Sequence, residues 1–230
     1  GGIIGDPYTI NQAVDDGAVL RLQYEARRPD IEINREALDK QFEQQTEGLV
    51  QEKKAELKKR TAKFDNLAKT DQVIYQIARD ISKHYKENWQ GTYAKGQIVT
   101  RRKDIALKFK QALDEIGQVT SDVIISPPDD REGYTNAYGG NQDAVNRFWK
   151  EMMAKYNNER NYNRTVIQKF KKDSEPELLI VVSKLLTGFD APRNTILYIC
   201  APLKNHTLLQ AIARVNRLYK DPKGDTKDYG

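Results

Sequence analysis

Two clusters in one stretch of this chain have the residue types and spacing for chemistry. The first is the turn Thr187-Gly188-Phe189-Asp190-Ala191-Pro192. A glycine lets the backbone approach a ligand closely, and a loop carboxylate accepts a hydroxyl. The second is Gln210, Arg214 and Arg217, whose spacings of four and three put them on roughly one helical face. Arg214 and Arg217 are fixed positive charges with planar donor forks suited to phosphate. They also have a plainer use, since arginines near the end of an exposed helix are often solvated or serve the helix C-terminus. A third place is Thr100-Arg101, where a short apolar strand meets a helix start. Backbone N–H groups and the helix dipole make such a junction an anion site. The bland alternative is an N-cap with a basic turn.

These residues must be held by regular elements. Leu178–Val182 and Ile196–Cys200 are continuous apolar runs of strand length. Continuous rather than alternating runs point to strands buried on both faces, as in a parallel sheet. The shared face of Leu208, Ile212, Val215 and Tyr219 predicts a helix from about Asn205–Thr207 onward. Upstream, strands are predicted at 18–24, 97–100 and 121–125. Ile74, Ile77, Ala78, Ile81 and Tyr85 form the stripe of a helix over Asp71–Tyr85, with Thr70 or Asp71 as its cap. Further helices are predicted from Ile105 to Ile116, over Asp143–Lys155 and over Asn163–Lys171. Residues 35–69 are polar, basic and helix-forming, either tracking DNA phosphates or standing as a solvated insertion. Residues 126–142, with Tyr134 and Tyr138, read as a long loop. Strands alternating with helices give an α/β layout with a mainly parallel sheet. Ligands bind at the carboxyl ends of such strands, so Thr100, Thr187–Asp190 and the terminal arginines are expected to gather at one edge.

The chain has 230 residues, 38% hydrophobic and 31% charged, enough for one large or two small domains with a charged surface. Its net charge of +5, from 38 basic and 33 acidic residues, permits a nucleic-acid partner without establishing one. The one cysteine, Cys200, lies in an apolar strand and reads as a core thiol in a reducing cytoplasm. His84 and His206 have no companion ligands at metal-binding spacing, so no metal site is expected. His84 reads as a packed or hydrogen-bonded ring. No membrane-spanning run or signal peptide is seen. Gly1-Gly2 reads as a cut rather than a natural start. No Gly-x-x-x-x-Gly-Lys-Ser/Thr occurs, and Asp114-Glu115 lies in a helical pattern rather than at a strand end. Neither Walker element of a nucleotide site is therefore read in the chain.

The order strand, Gly-x-Asp turn, strand, Gln/Arg/Arg helix resembles motifs V and VI of superfamily 2 helicases. The segments from Leu185 to Pro192 and from Leu208 to Arg217 resemble more closely the motor (R) subunit of type I restriction enzymes. Ser183 stands where that family often carries an acidic residue. The resemblance implies a RecA-like (P-loop NTPase-type) second motor domain with a helical insertion. The expected division is an entry segment with the first strand at 1–30, the insertion at 31–90, the motor domain at 91–220, and a truncated or disordered tail at 221–230. It further implies an ATP-dependent translocase of double-stranded DNA within a site-specific deoxyribonuclease. The nucleotide would be ATP with Mg2+, the metal held mainly by another domain. In that reading Arg217 is the arginine finger, and Arg214 supports it or exchanges roles with it. Gly188 gives backbone access, Asp190 contacts the ribose or couples hydrolysis to DNA grip, and Gln210 positions the helix or contacts the nucleotide. Thr187, Thr100 and Arg101 lie toward the DNA backbone. The expected partners are the first motor domain and nuclease domain of the parent chain, with modification and specificity subunits. The isolated chain is expected to be inactive. Two other readings stay open: the second half of another superfamily 2 translocase, or a non-catalytic DNA-binding or subunit-docking module.

Overall fold

A computed structural model of the chain describes residues 10–27, 51–128, 142–182, 190–203, 205–220, 222, 224 and 226–230. The apolar runs become four strands: β1 (Lys95–Thr100), β2 (Ser121–Ile124), β3 (Leu178–Val182) and β4 (Asn194–Ile199). They form one sheet in the order β2-β3-β1-β4, and all three pairings are parallel. Ile98 sits opposite Ile180 on one side and Tyr198 on the other. The central pair, β1 and β3, is buried almost throughout, as the continuous apolar run of β3 requires, while in β1 the burial extends to Lys95, Gln97 and Thr100.

Helices cover both faces. Ile98, Ile180 and Val123 pack against α2 (Gln51–Asn88) and α3 (Lys103–Ile116). Val99, Val181, Leu179 and Ile124 pack against α5 (Glu159–Lys172) and Ala211 of α6 (Asn205–Ile212). Between them α4 (Gln142–Tyr156) contributes Val145 to the first core and Met152 and Met153 to the second. It thereby shields edge strand β2. Local signals fix the ends. Gly117 takes φ 65 and its N–H returns to Leu113 O, a left-handed stop for α3. Asn158 caps α5 by accepting from Asn161 N at 2.9 Å. A short first helix, α1 (Ile10–Asp15), opens the described chain. No helix among the described residues is long and apolar enough to cross a membrane.

Three expectations change. The two helical segments expected before residue 88 are one helix, α2, which runs through Thr70 and Asp71 instead of starting there. Asp71 pairs with Lys108 of α3. The strand expected at 18–24 is not part of the sheet. It is an extended segment with one bridge, Arg21 to Tyr229, and with Gln23 N donating to Gly230 O at 3.0 Å. Its apolar side chains explain this: Leu22 and Tyr24 are exposed, so no face of the segment is buried deeply enough to join the core. Finally, the end of the expected disordered tail is packed. Lys227 is buried, and Tyr229 meets the Trp89 ring edge-on at 5.8 Å between centroids.

Candidate functional site

The sheet topology divides the candidate residues between two edges. Thr100 ends β1 and Arg101 follows it, so both lie at the carboxyl edge. Thr100 is fully buried, and its hydroxyl lies 3.3 Å from the carbonyls of Arg102 and Val181. Only Arg101 of the two is exposed. Next to them Arg102 holds Asp104 in the first turn of α3 through Nε at 2.8 Å.

Asp190, Arg214 and Arg217 are elsewhere. Because β4 runs parallel to β3, the chain must return to the amino edge before β4 begins. Asp190 lies near the end of that return, with Asn194 N donating to Ala191 O at 2.9 Å just beyond it. α6 makes the same return after β4, and its end reaches the same edge. The ring of Tyr219 stacks at 5.2 Å on Tyr93, just ahead of β1. The expected gathering at one edge is therefore corrected. The six residues of β1 separate the two groups by about 20 Å at the rise of an extended strand.

At the amino edge three of the predicted residues meet. Arg217 Nη1 is ion-paired with Asp190 Oδ1, and Arg217 Nε lies 3.4 Å from Ala213 O. Both partners are substantially exposed, 43% for Arg217 and 58% for Asp190, so the pair is weak and easily parted. Arg214 is half-buried beside them. Burial first, then the charge of Arg217, holds its guanidinium below the ordinary value, while Asp190 opposes this. Arginine remains cationic under such shifts. The result is two neighbouring guanidiniums, one of them paired with an exposed carboxylate, which offers donors suited to phosphate. Gln210 is half-buried on α6, one turn before Arg214. Thr187 and Gly188 lie outside the described residues, as do Tyr134 and Tyr138.

The helix expected to carry all three of Gln210, Arg214 and Arg217 ends at Ile212. Arg214 N donates to Ala211 O at 3.2 Å and Val215 N to Ile212 O at 2.9 Å, a tightened last turn. Beyond the helix, carbonyls of the following chain accept from remote groups. Val215 O accepts from Lys227 Nζ, and Asn216 O accepts from Leu20 N at 2.8 Å. Arg217 therefore lies off the helix, where it pairs with Asp190. Sequence reasoning missed Lys227, because a lysine among polar residues carries no periodic signal.

The remaining chemistry-bearing side chains are structural. His84 Nδ1 is 2.9 Å from Tyr198 OH, the hydrogen-bonded ring expected. Burial pushes the Cys200 thiol up to about 12, as suits a core residue. Among the described residues no group of His, Cys, Asp or Glu is placed to hold a metal ion.

A family model described as type I restriction enzyme subunit R domain 3 matches residues 80–230. This chain belongs to the type I restriction enzyme R-subunit family. A second model, SWI2/SNF2 ATPase, matches residues 1–55 of this R-subunit domain. The MjaIXP type I restriction enzyme endonuclease subunit of Methanocaldococcus jannaschii is 28% identical over 226 residues, covering 96% of this chain and 20% of that protein. The MjaVIIIP subunit of the same organism is 30% identical over 228 residues, covering 95% and 22%. The HindI endonuclease subunit of Haemophilus influenzae is 27% identical over 215 residues, covering 92% and 19%. The R-subunit domain thus spans about a fifth of the length of these relatives. Among solved structures, the Pyrococcus furiosus Hef helicase domain aligns at a TM-score of 0.40 and 13% identity, over 78% of this chain and 31% of that one.

Proposed function

We propose that this domain is the second motor half of an ATP-dependent translocase of double-stranded DNA within a type I restriction endonuclease. The observation that carries the reading is the amino-edge cluster, Asp190 paired with Arg217 and flanked by Arg214. It sets an arginine in a weak, exposed ion pair beside a second arginine, on a domain that lacks a Walker loop of its own. ATP would be the substrate, bound between this edge and a partner motor domain of the parent chain. Mg2+ would neutralise phosphate charge, held mainly by that other domain. The donor set here fits the phosphate side of the site, since it offers the guanidiniums of Arg214 and Arg217.

In this mechanism Arg217 leaves Asp190 and donates to the terminal phosphate as charge builds in the transition state. The exchange costs little, because the resting pair is exposed to water. Arg214, half-buried and less free to move, stabilises phosphate charge and keeps Arg217 extended by like-charge repulsion. Gln210 positions the end of α6, and Asp190 is left to accept a ribose hydroxyl or to signal DNA grip. At the opposite edge Arg101, with the main chain around Thr100, meets the DNA backbone; Thr187 also contacts DNA, and Gly188 gives the nucleotide backbone access. ATP-driven closure of the two motor domains then moves DNA through the enzyme, with modification and specificity subunits supplying site recognition.

The test is DNA-stimulated ATPase activity of the full-length parent chain with its partner subunits, wild type against Arg217→Ala. An arginine finger is worth on the order of a thousandfold or more in rate. A loss of that size with ATP binding retained is the expected result. A loss under about twofold, far below a finger's contribution, would move Arg217 to the surface and favour a docking module.

A further inference from the structure

We propose that Lys227 is a positioning residue for Arg217, acting through the main chain on both sides of the Arg217–Asp190 pair. The proposal rests on the motor-half reading above. Lys227 is only 3% exposed, although its neighbours in sequence are polar. Its Nζ donates to two carbonyls, Val215 O and, at 2.9 Å, Asn194 O. Val215 lies between Arg214 and Arg217. Asn194 opens β4, four residues beyond Asp190, and its N–H closes the turn back to Ala191. One ammonium group therefore ties the chain behind the finger to the chain behind the carboxylate that holds it.

The surroundings leave that junction little freedom. Leu20 N takes Asn216 O at 2.8 Å. Gly230 backs directly onto Val215, where a Cβ on Gly230 would stand 2.0 Å from Val215 O. Lys227 N donates to Tyr219 O at 3.0 Å, so the tail is hooked to the chain on the far side of Arg217 as well. Burial alone pushes the Lys227 amine down to about 8. Among the described residues Lys227 has no ionic partner, and an apolar side chain of similar volume would fill the space at lower cost. What the ammonium does that methionine cannot is hold the carbonyls of Val215 and Asn194 to one point, which fixes the non-helical chain between Arg214 and Arg217 beside the start of β4. Without it that junction loses its tie, and Arg217 is no longer held within reach of Asp190.

The experiment is a double-mutant cycle in DNA-stimulated ATPase, on the full-length parent chain with its partner subunits. The variants are Lys227→Met, Lys227→Arg, Arg217→Ala and the double Lys227→Met/Arg217→Ala. The expected result is a kcat loss of about tenfold or more for Lys227→Met, with KM for ATP moved by less than about threefold, because the contact it serves forms in the transition state. Lys227→Arg, which keeps a charged donor, should recover most of that loss. In the Arg217→Ala background, Lys227→Met should cost less than about twofold, since the group it positions is already gone. An unchanged kcat, an equal loss in both backgrounds, or a loss carried by KM would each overturn the proposal. If Lys227→Met gives no cooperative melt, the same cycle with Lys227→Gln, which keeps a neutral donor, decides by the same criteria. An Arg217→Ala enzyme of undiminished rate is a separate result, and it removes the finger reading itself.

Discussion

Lys95 and Lys227 are both buried, and each donates to two main-chain carbonyls. Lys95 Nζ reaches Ser174 O at 2.5 Å and Pro176 O at 2.7 Å, beneath the ring of Phe170. It pins the turn that leads into β3. Burial, then the charge of Arg193, pushes its amine down to about 8, while Glu177, Asp173 and Glu175 pull the other way. The sign of the linkage follows. An unfolded lysine titrates near 10.4, so above pH 8 the unfolded chain holds more protons at this site than the folded one. Stability therefore rises with pH across roughly 8 to 10.4 for this group, because the cost of the buried charge is removed. The increment should be on the order of 2 kcal/mol. Urea denaturation of the wild type and Lys95→Met at pH 7.5 and 10 checks it. The stability difference between the two proteins should shift toward the wild type at high pH. An unchanged difference would mean that the carbonyl bonds already stabilise the charged form fully.

At the scale of elements, the sheet is held by strands that fit one another closely in the middle. Gly96 in β1 faces Leu178 of β3 and Tyr198 of β4, and a Cβ there would stand 2.5 Å from Leu178 Cδ2 and 3.4 Å from the tyrosine ring. Leu178 is wholly buried and has no room to yield. Gly96→Ala should cost about 1–3 kcal/mol through overpacking, despite the few tenths gained by restricting the unfolded chain. Chemical denaturation of this chain reads that directly, and a neutral or stabilising result would show that Leu178 repacks freely. The strands were legible from their apolar stretches, Leu178–Val182 above all and only Ile98-Val99 and Val123-Ile124 in β1 and β2. α3 and α5 were legible from their apolar stripes. The end of α6 was not. Leu208, Ile212, Val215 and Tyr219 keep a perfect helical period, and Val215 is indeed buried, but a periodic pattern carries no sign of the tightened turn through Arg214 and Val215 that ends the helix. The extended segment at Leu20–Gln23 misled for the opposite reason. Its residue types suit a strand, but nothing covers Leu22 or Tyr24.

At the scale of the whole domain, the parallel topology places two kinds of cation on opposite edges of one sheet. The residue types of each group were readable in the sequence, and their separation was not, because spacing along the chain does not say how often the chain crosses the sheet between Thr100 and Asp190. In the proposed mechanism the amino edge takes nucleotide and the carboxyl edge takes DNA, and β1 and β4 join the two, ending at Thr100 and Ile199 and beginning beside Tyr93 and Arg193. The consequence is a clean division of mutant phenotypes in the full-length parent. Arg101→Ala removes one exposed cation at the carboxyl edge, so DNA affinity should fall and the slope of log affinity against log salt should shallow by about 0.9, one phosphate contact. ATP affinity and the rate without DNA should stay within about twofold of wild type, since the altered side chain lies about 20 Å from Arg217 by the length of the strand between them. Arg217→Ala should do the reverse, leaving the salt slope alone while the rate collapses. Binding titrations at several salt concentrations, run beside ATPase assays on the same two variants, separate these outcomes. A salt slope that moves with Arg217 rather than Arg101 would place the DNA at the amino edge and exchange the roles assigned to the two ends of the sheet.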